Sequence, residues 1–387
     1  MTPEQKLILV VDDTPLNISV ITGALKDTYR TKVATSGAKA LAIAVADEKP
    51  DLILLDVMMP EMDGYEVCCR LKADPTTREI PVIFLTAQTD AEDETHGFQV
   101  GAVDYVHKPF SPAVMKARVH THLALRETRE KLAQQLLAIQ KELETARLIQ
   151  QSILPQTVPQ IDGLDIAARY IPMASVAGDF YDFIAVDNKH VGILVADVSG
   201  HGMPAALIAS MLKIALAAQS AHADDPARVL QGLNQALCGK FQHHYVTAVY
   251  VFVDMETRAL SYAGAGHPPL LLWGAASPGV RDVTENGLFL GMFDFATYSS
   301  VKVPLAPGDR ALLYTDGISE TNNPEGAEFG SERFRQFLGA QKNDSANQLA
   351  DSLLEEVARW SARGEGEDLD DDITMVTIHV TSTLQKP

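Results

Sequence analysis

The chain has 387 residues, 46% of them hydrophobic and 21% charged, an ordinary globular composition at a length that predicts several domains. Its net charge of −19 argues against nucleic acid or an anionic membrane surface as a partner. The three cysteines form no disulfide framework, and no apolar run reaches the roughly 18 residues that a membrane helix needs. The N-terminus lacks the pattern of a signal peptide, so we expect a soluble, cytoplasmic protein.

Residues 1–122 alternate short apolar runs with helical patterns of about a dozen residues. The runs are KLILVV, DLILLD, PVIFLT and VDYVHK. Such alternation predicts an α/β domain in which a parallel sheet carries helices on both faces. Because several runs are almost entirely apolar, we expect strands that are buried on both sides.

Polar residues follow four of these predicted strands. Asp12 and Asp13 come directly after the first, and Asp56, Thr86 and Lys108 end the others. The carboxyl ends of parallel strands meet at one edge of a sheet, which is where such folds place their sites. Three clustered carboxylates call for a hard divalent cation such as Mg²⁺. A nearby lysine and hydroxyl can hold a phosphoryl group on a carboxylate.

These residues together resemble a response-regulator receiver domain, a doubly wound fold with five parallel strands, over residues 1–122. The resemblance implies that Asp56 is the phosphoacceptor, that a sensor histidine kinase is the partner, and that the Lys108–Pro109 peptide bond is cis. The Mg²⁺ ligands that it implies are Asp12, Asp13, Asp56 and the Met58 carbonyl. The switch residues that it implies are Thr86, Tyr105 and Lys108.

The segment that follows, residues 123–155, has the pattern of one long helix. It contains no glycine, and its only proline is Pro155. Its apolar residues recur at spacings of four and three, namely Leu125, Leu132, Leu136, Ile139, Leu143, Ala146 and Ile153. About four heptads of this kind predict a coiled-coil linker through which the protein forms a homodimer, with His122, Arg129 and Gln150 on the same seam. The alternative is a single amphipathic helix that packs on its own domains.

Residues 156–387 combine longer strands, glycine-rich turns and two pairs of helical stretches, which predicts a layered α+β domain. Four aspartates stand in distinctive contexts: Asp179 in AGDFYD, Asp197 in ADVSGHG, Asp316 in YTDGISE and Asp371 in DDITM. Four converging carboxylates require about two divalent cations. All-oxygen ligands favour Mn²⁺ or Mg²⁺, and a pair of such ions can activate water for phosphomonoester hydrolysis.

These motifs resemble the PPM-type metal-dependent serine/threonine phosphatases, in particular their bacterial RsbU/SpoIIE-like branch, which has an α-β-β-α architecture. The AGAGHPP hairpin at residues 263–269 belongs to the same resemblance. The site residues that it implies are Asp197 on both metals with the Val198 carbonyl beside it, Asp316 and Asp371 on the second metal, and Asp179 acting directly or through water. We expect Asp182, Asp372 and His201 not to be direct ligands, and His267 to shape the hairpin.

The two resemblances imply a response regulator whose output is metal-dependent dephosphorylation of phosphoserine or phosphothreonine proteins, controlled by phosphorylation of Asp56. The implied substrate is an anti-sigma-factor antagonist in a partner-switching pathway. The alternative is a catalytically silent adaptor that binds a protein partner when phosphorylated. Activity on an artificial phosphomonoester with Mn²⁺ distinguishes the two hypotheses.

Overall fold

The computed structural model describes residues 5–87, 91–109, 111–241, 243–274, 279–341, 344–362 and 369–381, with the backbone alone for residues 91–94. The chain divides into two compact units, Met1–Ile139 and Gln140–Pro387. No helix among the described residues is both long enough and apolar enough to cross a membrane.

The first unit is built on a parallel five-stranded sheet. Its strands are β1 (Leu7–Val11), β2 (Arg30–Ala34), β3 (Leu52–Asp56), β4 (Val82–Thr86) and β5 (Asp104–His107). The helices between them are α1 (Pro15–Leu25), α2 (Gly37–Ala44), α3 (Gly64–Ala73) and α4 (Ala91–Gln99). The strand order is β2-β1-β3-β4-β5, and every pairing is parallel. One apolar core lies on each face of the sheet, which confirms the predicted doubly wound fold.

A single helix, α5 (Pro112–Ile153), continues from the first unit into the second. Its 42 residues correspond to about 63 Å at 1.5 Å per residue. Met115, Val119 and Leu123 at its start are buried in the core of the first unit. The predicted unbroken helix is therefore confirmed. It begins at Pro112, about ten residues before His122, the first residue of the predicted coiled-coil seam.

The second unit contains eleven strands and four α-helices among its described residues. The strands are β6 (Leu164–Ile171), β7 (Phe180–Ala185), β8 (His190–Val198), β9 (Val246–Asp254), β10 (Ala259–Ala265), β11 (Leu270–Trp273), β12 (Arg281–Val283), β13 (Asn286–Gly287), β14 (Val301–Pro304), β15 (Arg310–Tyr314) and β16 (Ile373–Val380). The helices are α6 (Met203–Ala217), α7 (Pro226–Leu237), α8 (Ser331–Ala340) and α9 (Ala346–Ser361).

These strands form two sheets that pack face to face. One has the order β13-β10-β9-β8-β7 with β14 beside β10, and the other has the order β12-β11-β15-β16-β6. Helices α6 and α7 cover the first sheet, and α9 covers the second. An apolar core that includes Val195, Val249 and Val376 lies between the sheets. The predicted layered α-β-β-α fold is thus confirmed.

Candidate functional sites

Three carboxylates of the first unit converge at the carboxyl edge of its sheet. Oxygen atoms of Asp12, Asp13 and Asp56 lie within 4.8 Å of one another. Asp12 and Asp56 are buried, whereas Asp13 is exposed. This arrangement offers a hard cation three oxygen ligands on one open side. The backbone N–H of Met58 lies 3.4 Å from Asp56 Oδ1, so the Met58 peptide adjoins the same cluster.

Lys108, which follows β5, offsets part of the negative charge of this cluster. Its Nζ lies 2.8 Å from Asp56 Oδ2 and 2.9 Å from Asp12 Oδ2. Burial raises the pKa of Asp56, and the lysine opposes that shift. Only glycine fits at position 64, because a Cβ there would lie 2.3 Å from the carbonyl oxygen of Asp56. The loop after β3 can therefore fold back closely over the predicted phosphoacceptor.

The predicted switch residues lie beside the cluster. Thr86 ends β4 and is buried, and Tyr105 in β5 is only 4% exposed. The Tyr105 ring fits inside because residue 97 is glycine, where a Cβ would lie 1.7 Å from the Tyr105 hydroxyl. The Lys108–Pro109 peptide bond is cis, as the resemblance implied.

In the second unit, strand pairing brings the four motif aspartates to one end of the two sheets. Asp197 lies near the end of β8, and the β7–β8 register continues to place Asp179 opposite it. Asp316 follows β15 and Asp371 precedes β16. These two strands pair with Tyr314 opposite Met375, so both residues lie at the same end of that sheet.

The four carboxylates interact strongly. Burial, followed by the charges of the nearby Asp316 and Asp371, raises the pKa of Asp197 to about 7. Burial, followed by the charge of Asp197, raises the pKa of Asp179 well above its usual value. Within the described part of the chain, no three of these carboxylates come within the 4.8 Å seen in the first unit.

The donor set of this site fits hard divalent cations. Its groups are all oxygens and carry about four negative charges when ionised, a combination that Mg²⁺ or Mn²⁺ neutralises. The buried Tyr170 hydroxyl lacks a hydrogen-bond partner among the described residues, and burial, followed by the charges of Asp372 and Asp179, raises its pKa. The interior beside Asp179 is therefore polar and incompletely satisfied.

Gly178 brings Asp179 close to the loop that follows β8. A Cβ at position 178 would lie 2.8 Å from the Val198 carbonyl oxygen and 3.3 Å from that of Gly200. Glycine is thus required at position 178 because the backbone before Asp179 contacts the backbone of the loop that follows β8.

We expect Gly178→Ala to destabilise the protein by about 1–3 kcal/mol, the usual range for an overpacked methyl group. It should also weaken Mn²⁺-dependent activity, since the Val198 carbonyl must move. Thermal unfolding and a Mn²⁺ titration measure the two effects. Gly339→Ala in α8 is the matched control, because a Cβ there has nothing within 4 Å. Parental stability and activity in Gly178→Ala would contradict the expectation.

Several acidic and histidine residues near the motifs have other partners. Asp372 accepts hydrogen bonds from the backbone N–H groups of Met173 and Gly178, each at 2.7 Å, and so holds the loop before Asp179. Asp182 pairs with Lys213 of α6 at 2.8 Å. These contacts give both carboxylates a structural role, and the expectation that neither is a direct metal ligand stays a prediction. His201 is exposed.

Two further groups near the site escaped the sequence analysis. Thr315, immediately before Asp316, donates from Oγ1 to Asp179 Oδ2 at 2.8 Å and links the two sheets. Burial, followed by Asp316, raises the pKa of Glu320 one turn further on. Both residues lie close in sequence to the TDG motif, and this was the only signal that could have identified them. It is a weak signal because threonine and glutamate are common in turns.

The interpretation of Gln150 as a position on the coiled-coil seam is wrong. Its side chain is buried against the second unit, where its amide donates to the Ala177 carbonyl at 2.7 Å and accepts from the Ala177 N–H at 3.0 Å. The end of α5 is therefore hydrogen-bonded to the loop that carries Asp179. A glutamine satisfies both backbone groups of one residue because its amide has a donor and an acceptor.

Comparison with known proteins agrees with these two folds. Residues 8–120 match the response regulator receiver domain, and residues 187–381 match Stage II sporulation protein E (SpoIIE). The SpoIIE match covers half of the chain, so the chain belongs to that family and carries an N-terminal receiver domain.

Individual relatives point the same way. The chain is 33% identical over 189 residues to phosphoserine phosphatase RsbU of Bacillus subtilis, covering 49% of this chain and 56% of that protein. It is 32% identical over 189 residues to phosphoserine phosphatase RsbP of the same organism, covering 48% and 46%. The chain thus spans about half the length of these curated relatives. The solved SiaA-PP2C domain of Pseudomonas aeruginosa is 27% identical with a TM-score of 0.56, covering 63% of this chain and 98% of that domain.

Proposed function

We propose that this protein is a metal-dependent phosphatase of phosphoserine or phosphothreonine proteins whose activity is set by phosphorylation of Asp56. One observation carries the proposal. Asp179 lies opposite Asp197 in the register of one sheet, while Asp316 and Asp371 flank the paired strands of the other. Burial, followed by the charges of Asp316 and Asp371, raises the pKa of Asp197, and burial followed by Asp197 raises the pKa of Asp179. Such a group of carboxylates is costly unless cations bind it, and perturbed groups of this kind concentrate at functional sites.

In this proposal Asp197, with the Val198 carbonyl beside it, takes part in binding two Mn²⁺ or Mg²⁺ ions, and Asp316 and Asp371 hold the second. When bound, the cations supply the Lewis acidity that activates water and neutralises phosphoryl oxygens. Asp179 acts directly or through water, and Thr315 orients it by a hydrogen bond. The chain's own contribution is to hold the charges at a fixed separation before the substrate arrives.

The relatives support the proposed substrate class. RsbU and RsbP are both named phosphoserine phosphatases, and the resemblance of the motifs implies an anti-sigma-factor antagonist as the phosphoprotein. In the first unit, the Asp12, Asp13 and Asp56 oxygens suit one Mg²⁺, and Lys108 suits a phosphoryl group on Asp56. A sensor histidine kinase is the corresponding partner.

We further propose a homodimer through α5. The apolar side chains on its middle part are more than half exposed, namely Leu125, Leu132, Leu136 and Ile139. Their heptad spacing suits a second copy of the same helix as the covering partner. In the dimer, a change in the helix pair would reach Asp179 through the hydrogen bonds between Gln150 and Ala177.

The alternative function, a catalytically silent adaptor, is tested by the same experiment as the proposal. We expect the full chain to hydrolyse p-nitrophenyl phosphate in the presence of Mn²⁺, and Asp197→Ala to reduce the rate at least about 100-fold through the loss of water activation. Asp351→Asn is the matched control, since it removes an exposed carboxylate that pairs with Arg169. An absence of metal-dependent hydrolysis in the parent would favour the adaptor.

A further inference from the structure

His267 is a buried imidazole in the segment that crosses from one sheet of the second unit to the other. It lies between β10 and β11 and is 3% exposed. It contacts both sheets: Nδ1 is 2.9 Å from Thr247 Oγ1 in β9, and Nε2 is 3.0 Å from the Tyr314 carbonyl oxygen at the end of β15. One side chain therefore spans the gap between two strands that do not pair with each other.

The two hydrogen bonds fix the tautomer of this ring. A carbonyl oxygen only accepts, so Nε2 of His267 donates to Tyr314, and Nδ1 accepts from the Thr247 hydroxyl. Burial lowers the pKa of His267 to about 3, so the ring is neutral at neutral pH. The register of β11 with β15, which pairs Leu271 with Leu312, continues to place Pro269 opposite Tyr314. Because proline has no N–H, the imidazole supplies the donor that a strand neighbour would otherwise provide.

Both ends of the imidazole adjoin predicted metal ligands. Thr247 is the register partner of Asp197 in the β8–β9 pair. Side chains of such partners project from the same face, with their Cβ atoms about 4.5–5.5 Å apart. Tyr314 lies two residues before Asp316. The ring thus connects the strand beside Asp197 to the strand that leads into Asp316.

We propose that His267 is a positioning residue that sets the separation of Asp197 and Asp316 and thereby the affinity of the site for divalent cations. This inference rests on the proposed metal site. The shape of the hairpin has separate support, because Asn286 accepts from the Gly266 N–H at 2.7 Å and donates to the His267 carbonyl at 3.2 Å. The imidazole acts together with the Thr315–Asp179 hydrogen bond and the core packing between the sheets, which also oppose the repulsion between the carboxylates.

The test measures Mn²⁺ binding to the full chain by calorimetry in the absence of substrate. We expect His267→Phe to weaken Mn²⁺ binding at least about 10-fold, the lower end of the effect of groups that orient metal ligands. His267→Gln should stay within about 3-fold of the parent, because its amide can both donate and accept. Thr247→Val, which removes one of the two hydrogen bonds, should weaken binding about 3-fold, as expected for the loss of a single neutral hydrogen bond. Asn286→Ala is the control for the hairpin and should lower the melting temperature without changing Mn²⁺ affinity.

Parental Mn²⁺ affinity in folded His267→Phe and Thr247→Val would overturn the inference. An equal loss of affinity in Asn286→Ala would overturn it too, since hairpin shape would then be sufficient. If His267→Phe fails to fold, the Mn²⁺ affinities of Thr247→Val and His267→Gln test the inference instead. Asp197→Ala separates this inference from the proposed function: parental Mn²⁺ binding in that variant would show that the metal site itself is wrongly assigned, and the role of His267 would fall with it.

Discussion

Asp316→Asn and Asp371→Asn are each expected to reduce turnover at least about 100-fold, which corresponds to roughly 2.7 kcal/mol of transition-state stabilisation. Asparagine preserves the shape of the side chain but removes the negative charge that holds a divalent cation. Both residues face the same end of the paired strands β15 and β16 and raise the pKa of Asp197. Initial rates over a Mn²⁺ titration measure the effect, so that weakened binding is distinguished from slower chemistry.

Removal of the metal should reproduce this loss without any substitution. We expect metal-stripped protein in excess EDTA to be inactive and added Mn²⁺ to restore the rate, because four ionised carboxylates repel one another without cations. Asp351→Asn again serves as the control for a lost carboxylate. Full activity in EDTA, or near-parental rates for both asparagine variants at saturating Mn²⁺, would show that other carboxylates perform the chemistry.

A change in the phase of α5 should abolish regulation, whereas a change in its length should not. Deleting seven residues within 130–145 keeps the exposed leucines on one face, while inserting two residues rotates everything downstream by about 200°. We expect the deletion to retain the response to a small phosphodonor and the insertion to lose it, with the Mn²⁺-dependent basal rate intact in both. The ratio of rates with and without acetyl phosphate is the measurement.

This prediction rests on the path from Asp56 to the second unit. Within the described chain α5 runs through from one unit to the other, and Gln150 near its end bonds to the loop before Asp179. Asp56→Ala, which removes the phosphoacceptor, should abolish the response in every length variant. Sedimentation velocity should find dimers in the parent and in the deletion. If both length variants respond like the parent, α5 is a passive tether between the units.

The parts of the fold that could be predicted are those with short-range sequence signals. An apolar run followed by a carboxylate identified the strand ends at Asp12, Asp56 and Asp197, because a carboxylate is rarely buried within an apolar strand unless it has a partner. The absence of glycine and proline identified α5 for a similar reason, since nothing in the segment interrupts a helix. In both cases the deciding residues lie within a few positions of one another.

The contacts that could not be predicted join a side chain to a distant peptide group. Gln150 binds the backbone of Ala177, His267 binds the Tyr314 carbonyl, and Asp372 binds the N–H of a residue 199 positions away. A backbone group is the same for every residue type, so the sequence carries no mark of such a partner. Asp371 and Asp372 show the result: the two side chains are adjacent and chemically identical, yet it is Asp372 that accepts the hydrogen bonds from the Met173 and Gly178 N–H groups.

The hydrogen bonds between Gln150 and Ala177 also bear on where the second unit can be cut free. A fragment that starts at residue 156 loses both hydrogen bonds from Gln150 to the buried Ala177 peptide, at about 1–3 kcal/mol for each unsatisfied donor or acceptor. It also loses Leu154, which belongs to the apolar core of that unit. The last turn of α5 is thus structurally part of the SpoIIE-family unit, and an excised version that keeps its native stability has to start upstream of Gln150.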